Sequence, residues 1–232
     1  MYLDLGNGMM AVKEEDSKLS EVRYFIGLDL GQAQDPTALA VIERRRLLDV
    51  RYEPAPLRDA RCLIPQLVRY PLGTSYPEIV ADVVDKLVKA PKGTRLILDG
   101  TGVGRAVVDE FRQHRALQSH HSRIVPVTLT AGEEEILASD GYWRVPKRNL
   151  VGVAQVLLQS QRLKIAPDLA ETQTLVKELL NFKVKITTAA NDTYGAWREG
   201  QHDDLVLATA LGCWAALSRQ INTECKVSTF LR

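Results

Sequence analysis

Four carboxylates stand where an apolar chain has little use for them. Asp29 ends the apolar stretch VRYFIGLDLG, Asp99 ends the short run LILD, and Asp203 and Asp204 open the long apolar stretch DDLVLATALGCW. A buried carboxylate without a cation or a strong donor is costly, so each calls for a partner. Taken singly, three of them have a plain structural use: Asp99 as a cap for the helix after it, the aspartate pair as favourable charge at a helix N-terminus. Taken together, acidic side chains at three apolar boundaries suit a different chemistry. Crowded carboxylates repel one another and are neutralised by hard cations, Mg²⁺ or Mn²⁺. Two such ions at roughly 4 Å from each other align a water and polarise a phosphate without any nucleophilic serine or cysteine. Metal ligation by Asp29, Asp99, Asp203 and Asp204 is therefore the expectation.

Positioning them requires strands and helices in a particular order. VRYFIGLDLG and TALAVIE, separated by the turn-forming QAQDP, predict an antiparallel hairpin, with Glu43 to Arg46 as a second turn and a third strand from about Leu47 to Pro54. Ser75 with Glu78 and Pro77 predicts a capped helix carrying Val80, Val83, Val84, Leu87 and Val88. A strand to Asp99, the turn GTGVG, a helix with Val103, Val107 and Phe111 on one side, and a strand over Ile124 to Leu129 follow. DGYWRVPK reads as a turn with a strand, Leu150, Val153 and Leu157 as a helix, RLKIA as extended, and Pro167 with Asp168 and Glu171 as the start of another helix. Phe182 to Thr188 reads as a strand, and a long helix begins at the aspartate pair. On that last helix, successive positions at about 100° place Asp204 on the side of Ala208, Gly212 and Ala215, where small residues permit close packing on a sheet. Asp203 is the more peripheral of the two on this reading.

Composition sets limits. The 232 residues are 45% hydrophobic and only 6% aromatic, which suits one core of strands covered by helices. No run of eighteen apolar residues and no basic leader before an apolar stretch is present, so a cytosolic protein without a membrane span is expected. Cys62, Cys213 and Cys225 lie far apart with no C-x-x-C spacing, which gives no support to a disulfide framework or zinc site. The net charge is +1, but eight basic residues against three acidic ones between Arg144 and Lys185 leave that segment at +5. A localised polyanion surface there, with Arg144, Lys147, Arg148, Arg162 and Lys164 as DNA-contacting residues, is one reading; a solvated lysine-rich exterior is the other. His114, His120 and His121 show no ligand spacing, and His202 either orients Asp203 or is an ordinary first-turn residue.

GLDLGQAQDPTALAVIE, LILDGTGVG, VPKRNL and GQHDDLVLATALGCW resemble, in order and spacing, the nuclease domain of the large terminase subunit of tailed bacteriophages, over about residues 22 to 219. The resemblance implies a ribonuclease-H-like α/β fold: a mixed five-stranded sheet with helices on both faces, plus a β-hairpin and helix excursion. Residues 1–21 would be an extension or tether and 220–232 a tail. It implies metal-dependent cleavage of double-stranded DNA during genome packaging, with Asp29 as the central ligand, Asp99 as the second carboxylate and the pair after His202 as the third. The family's motor carries a phosphate-binding loop of the form G-x-x-x-x-G-K-[ST], which this sequence lacks. A separate packaging ATPase, a portal or a small terminase subunit are the partners so implied, in the cytoplasm of a bacterial host. Three other readings compete: a Holliday-junction resolvase, which would prefer branched DNA; an actin-like ATPase, for which GLDLG and DGTGVG resemble phosphate loops; and a non-catalytic module that docks DNA or a packaging protein.

Overall fold

The computed structural model describes residues 2–4, 10–12, 20–31, 35–49, 53–188 and 203–222. In chain order the strands are β1 (Tyr2–Asp4), β2 (Met10–Val12), β3 (Ser20–Asp29), β4 (Ala38–Leu47), β5 (Arg61–Arg69), β6 (Arg95–Asp99), β7 (Ile124–Thr130), β8 (Ile136–Leu137), β9 (Trp143–Pro146) and β10 (Leu163–Ile165). The helices are α1 (Tyr76–Lys89), α2 (Gly104–Gln113), α3 (Lys147–Gln159), α4 (Thr172–Thr188) and α5 (Asp204–Leu217). Among the described residues, β1 and β2 pair with each other, and the other eight strands form one mixed sheet in the order β10-β5-β4-β3-β6-β7-β9-β8. The expected sheet of five is thus eight. Its middle five, β5-β4-β3-β6-β7, make an antiparallel meander joined to parallel strands, consistent with a ribonuclease-H-like core, and β10 and the β9/β8 pair extend it on opposite edges.

The second and third strands differ from expectation. The charged run Glu43 to Arg46 does not turn; it continues β4 to Leu47. Its charges are satisfied in place. Arg44, 1% exposed, donates to the Ala216 carbonyl and to Asn222 Oδ1, and its guanidinium lies 5.5 Å from the Phe25 ring centre. Glu21 takes Arg44 and Arg46, and the buried Glu43 accepts from Tyr24 and Arg45. The third strand is Arg61–Arg69 rather than Leu47 to Pro54, where a single bridge joins Leu48 to Pro54. Pro65 obscures that strand in the sequence because it cannot donate to a ladder. The register shifts opposite it, between Val41 and Glu43, and β10 pairs only with Cys62 to Ile64 before it.

α1 begins with both capping-box bonds in place, Ser75 accepting from the Glu78 backbone and Glu78 from the Ser75 backbone. Helix α2 buries Val107, Val108 and Phe111 but leaves Val103 exposed as its N-cap. α4 runs through Thr188, so Phe182 to Thr188 is helix where alternation suggested a strand. Two apolar layers flank the sheet. Ile26, Leu28, Leu96 and Leu98 face α1 and α2, while Phe25, Ile97, Val127 and Val145 face α3 and α5. Among the described residues, no helix is long and apolar enough to cross a membrane.

α5 is buried almost throughout and lies directly on β3 and β4. Its approach is set by glycine: a Cβ on Gly27 would stand 1.9 Å from the Ala208 carbonyl oxygen and 2.9 Å from the Gly212 nitrogen. A Cβ on Gly212 lies 2.5 Å from Ile42 Cγ1. Backbone thus rests on backbone, as the small residues of this helix suggested. Gly27→Ala should cost about 3 kcal/mol of stability, since rigid main chain has to move. Urea unfolding checks this, and a midpoint equal to wild type would mean that the helix is loosely seated.

Candidate active site

The sheet register assembles the site. β3 and β6 run parallel with Leu28 opposite Leu98, so Asp29 and Asp99 are the next neighbours at the two carboxyl ends. Both follow Phe25, Gly27 and Ile97 on the face turned toward α5. Antiparallel pairing puts Asp29 opposite Ala38 and Ala38 opposite Arg69, which brings the end of β5 to the same edge. On the other side β9 runs parallel to β7 and delivers Lys147, the first residue of α3. Five strands and the N-terminus of α5 thus converge on one rim.

Each acidic group there has a distinct setting. Burial pushes the Asp29 carboxyl well above the ordinary carboxylate range; Asp99, Asp203 and Asp204 push it further, and Lys147 opposes them. Asp29 is half-buried as a residue at the strand end. Asp99 is raised by burial and lowered by hydrogen bonds from Thr101, whose backbone and hydroxyl both donate to Oδ1. Leu129 N donates in turn to the Thr101 hydroxyl at 3.1 Å, tying this turn to β7. Asp99 is therefore oriented by its own turn; it does not cap α2, whose N-cap is Val103.

The two aspartates of the pair have different settings, Asp204 buried and Asp203 more exposed. Asp203 lies outside the helix as its N-cap, with φ −136° and ψ 15°, so a wheel extended back to it misplaces it. Its carboxylate is 3.1 Å from Lys147 Nζ and influences Asp29 more than Asp204 does. Asp204, 3% exposed, turns inward and is gripped by Arg69, with Nε 2.9 Å from Oδ2 and Nη2 donating to Oδ1 at 3.0 Å.

Glu178 of α4, 8% exposed, completes the support. Its Oε2 accepts from the Leu205 and Val206 backbone N–H groups at 3.1 and 3.2 Å, capping α5 from a neighbouring helix. Sequence reasoning assigned no role to Arg69 or Glu178. Arg69 carried a faint signal as a charge closing an apolar strand; Glu178 carried none, because a residue that caps another helix leaves no local pattern.

The expected DNA-contacting residues do not form one surface. Arg144 is exposed on β9, and Arg148 at the start of α3 pairs with Glu133 at 3.1 Å. Lys147 and Arg148 line a small cleft of about 190 Å³ with Leu129, Thr130, Ala131 and Gly132. Arg162 and Lys164 lie at the opposite edge, beside β5, where Arg162 donates to the carbonyls of Arg58 and Ala60. α3 carries the chain from one edge to the other, separating residues that are near in sequence. His114 Nδ1 accepts from Ala116 N in its own turn, and His202 lies outside the described residues.

The donor set suits a hard divalent cation: carboxylate oxygens from separate elements, with one carboxyl raised by burial and by its like-charged neighbours. Among the described residues, no group of three or more acidic, histidine or cysteine side chains is arranged to hold an ion as it stands. The side chains instead face Lys147, Arg69 and Thr101.

No protein-family model matches the sequence, and no curated protein matches it. Solved structures similar to it include the large terminase nuclease of thermophilic phage G20c, at 20% identity and TM-score 0.48, covering 91% of this chain and 89% of that one. The large terminase nuclease domain of bacteriophage SPP1, determined with bound Mn, has 18% identity and TM-score 0.40, with 82% and 84% covered. The human cytomegalovirus terminase nuclease domain has 14% identity and TM-score 0.40, with 83% and 82% covered. The chain is structurally similar to large-terminase nuclease domains.

Burial and the neighbouring Asp204 push Glu178 from 4.5 up to about 7. A carboxyl that holds its proton more tightly when folded stabilises the fold at acid pH, and that contribution is lost as pH rises from about 4.5 through 7. Glu178→Gln keeps a carbonyl acceptor for Leu205 and Val206 and removes the loss. In EDTA its melting temperature, relative to wild type, should rise between about pH 5 and pH 8. A difference that stays flat across that range would show that Glu178 ionises normally.

Proposed function

We propose that the chain is a divalent-metal-dependent endonuclease that cleaves double-stranded DNA during phage genome packaging. The observation that carries this reading is the arrival of Asp29, Asp99 and Asp203 at one rim, with the Asp29 carboxyl raised by burial and then by the others. The sequence resemblance to terminase nucleases supplies the substrate class and the packaging partners: a motor ATPase, a portal or a small subunit. Asp29, Asp99 and Asp203 would hold Mg²⁺ or Mn²⁺, two ions in the active complex, with Asp204 supporting them from behind. When bound, the metal supplies an activated water and stabilises charge on the phosphate. The chain's own residues then have defined tasks. Thr101 orients Asp99, Arg69 and Glu178 fix the start of α5, and Lys147, Arg148 and Arg144 flank the rim with positive charge toward a DNA backbone.

Cleavage of supercoiled plasmid with Mn²⁺, Mg²⁺ or EDTA tests the reading. Asp29→Asn and Asp99→Asn should abolish metal-dependent cleavage, while the metal-free melting temperature of Asp29→Asn holds or rises because repulsion is relieved. Asp203→Ala should lose cleavage with the fold intact. Asp204→Ala should lose stability together with activity, since it leaves the Arg69 guanidinium without its buried partner. Full cleavage by both Asp29→Asn and Asp99→Asn at saturating metal would sink the assignment. A strong preference for branched DNA would favour a resolvase, and metal-independent DNA binding without cleavage a docking module.

A further inference from the structure

Arg69 and Lys147 each pair with one aspartate of the rim, and they are held in opposite ways. Arg69 donates from Nη2 to Asp204 Oδ1, with Nε 2.9 Å from Oδ2, against a carboxylate that is 3% exposed. It is fixed by geometry and by burial. Lys147 reaches Asp203 through its single ammonium nitrogen, 3.1 Å from Oδ2, at the end of a flexible four-carbon stem. The same ammonium is close enough to Asp29 and Asp99 to favour the ionised form of both. The cleft formed with Thr130, Ala131, Gly132 and Arg148 adjoins it, so the side chain has space to move into.

Resting on the reading of this rim as a metal centre, we propose that Lys147 is its built-in counter-ion, an ammonium that a divalent cation must displace from Asp203 in order to bind. A metal ion drawn to Asp203 competes with the ammonium already held at Oδ2, and a dication beside Lys147 is repelled by it. Metal binding and the Lys147–Asp203 pair therefore oppose each other. The lysine holds the carboxylates together without metal and yields its place when metal arrives, swinging into the adjoining cleft. Arg69 is the less exchangeable of the two, because its partner Asp204 is 3% exposed and paired at 2.9 Å. Lys147 acts here through Asp203, as a positioning residue.

Thermodynamic competition makes this testable without any cleavage assay. In the full chain without DNA, Lys147→Met should bind Mn²⁺ several-fold more tightly than wild type by calorimetric titration, and Lys147→Arg should stay near wild type because the charge remains. The melting temperature of Lys147→Met should fall below wild type in EDTA, where the carboxylates lose their cation, and that deficit should close at saturating Mn²⁺. Equal or weaker Mn²⁺ binding by Lys147→Met, in a protein whose circular dichroism is unchanged, would overturn the exchange while leaving the metal centre standing. Absence of Mn²⁺ binding by wild type and variant alike would remove the metal centre itself, and this role of Lys147 with it.

Discussion

The seating of α5 on β3 is the constraint from which the rest of the site follows. Because Gly27 offers no Cβ, the carbonyl of Ala208 and the amide of Gly212 come down onto the strand backbone. Two residues further along β3 stands Asp29, and one turn back from Ala208 stands Asp204, with Asp203 just before it. A helix held farther out would carry its N-terminus away from the strand ends. Close packing and convergence of charge are thus one geometric fact, and the apolar length of α5 supplies the burial that holds it there.

Bringing four carboxylates to one rim is unfavourable, and the molecule offsets it with unequal devices. Asp204 and Glu178 are taken into the protein, one gripped by Arg69 and the other capping α5 with its oxygen. Asp99 is satisfied by its own turn through Thr101. Asp203, the more exposed of its pair, is met by Lys147. Asp29 is raised by burial and by its acidic neighbours, with Lys147 opposing them.

Much of this was legible in the sequence wherever one element's own pattern decided the outcome. The capping box at Ser75, the hairpin through Asp29, the strand and turn around Asp99 and the long helix after Asp203 each follow from local periodicity or turn chemistry. Where a distant partner decides, local pattern misleads. Glu43 to Arg46 resemble a turn until Glu21, Phe25 and Asn222 are found around them. Pro65 hides a strand whose missing donor falls at a register shift. The roles of Asp203 and Asp204 turn on one residue, because the helix begins after the first of them. The basic segment seemed contiguous only because the sequence cannot show that α3 spans the sheet.

The order of the chain has a further consequence in the time domain. Strand register alone can align Asp29, Arg69 and Asp99 once the segment to Asp99 is available, but Lys147 joins later and Asp203 last of all. As a chain emerges from synthesis and its earlier parts fold first, the acidic rim gathers in the sequence of its compensating groups: Arg69 and Thr101 are near before the final carboxylates arrive on α5. Those contacts span up to 135 residues between Arg69 and Asp204, a separation that slows closure. The completed constellation is consequently a late event in folding, and a partly made chain exposes a sheet edge with only half of its charge assembled.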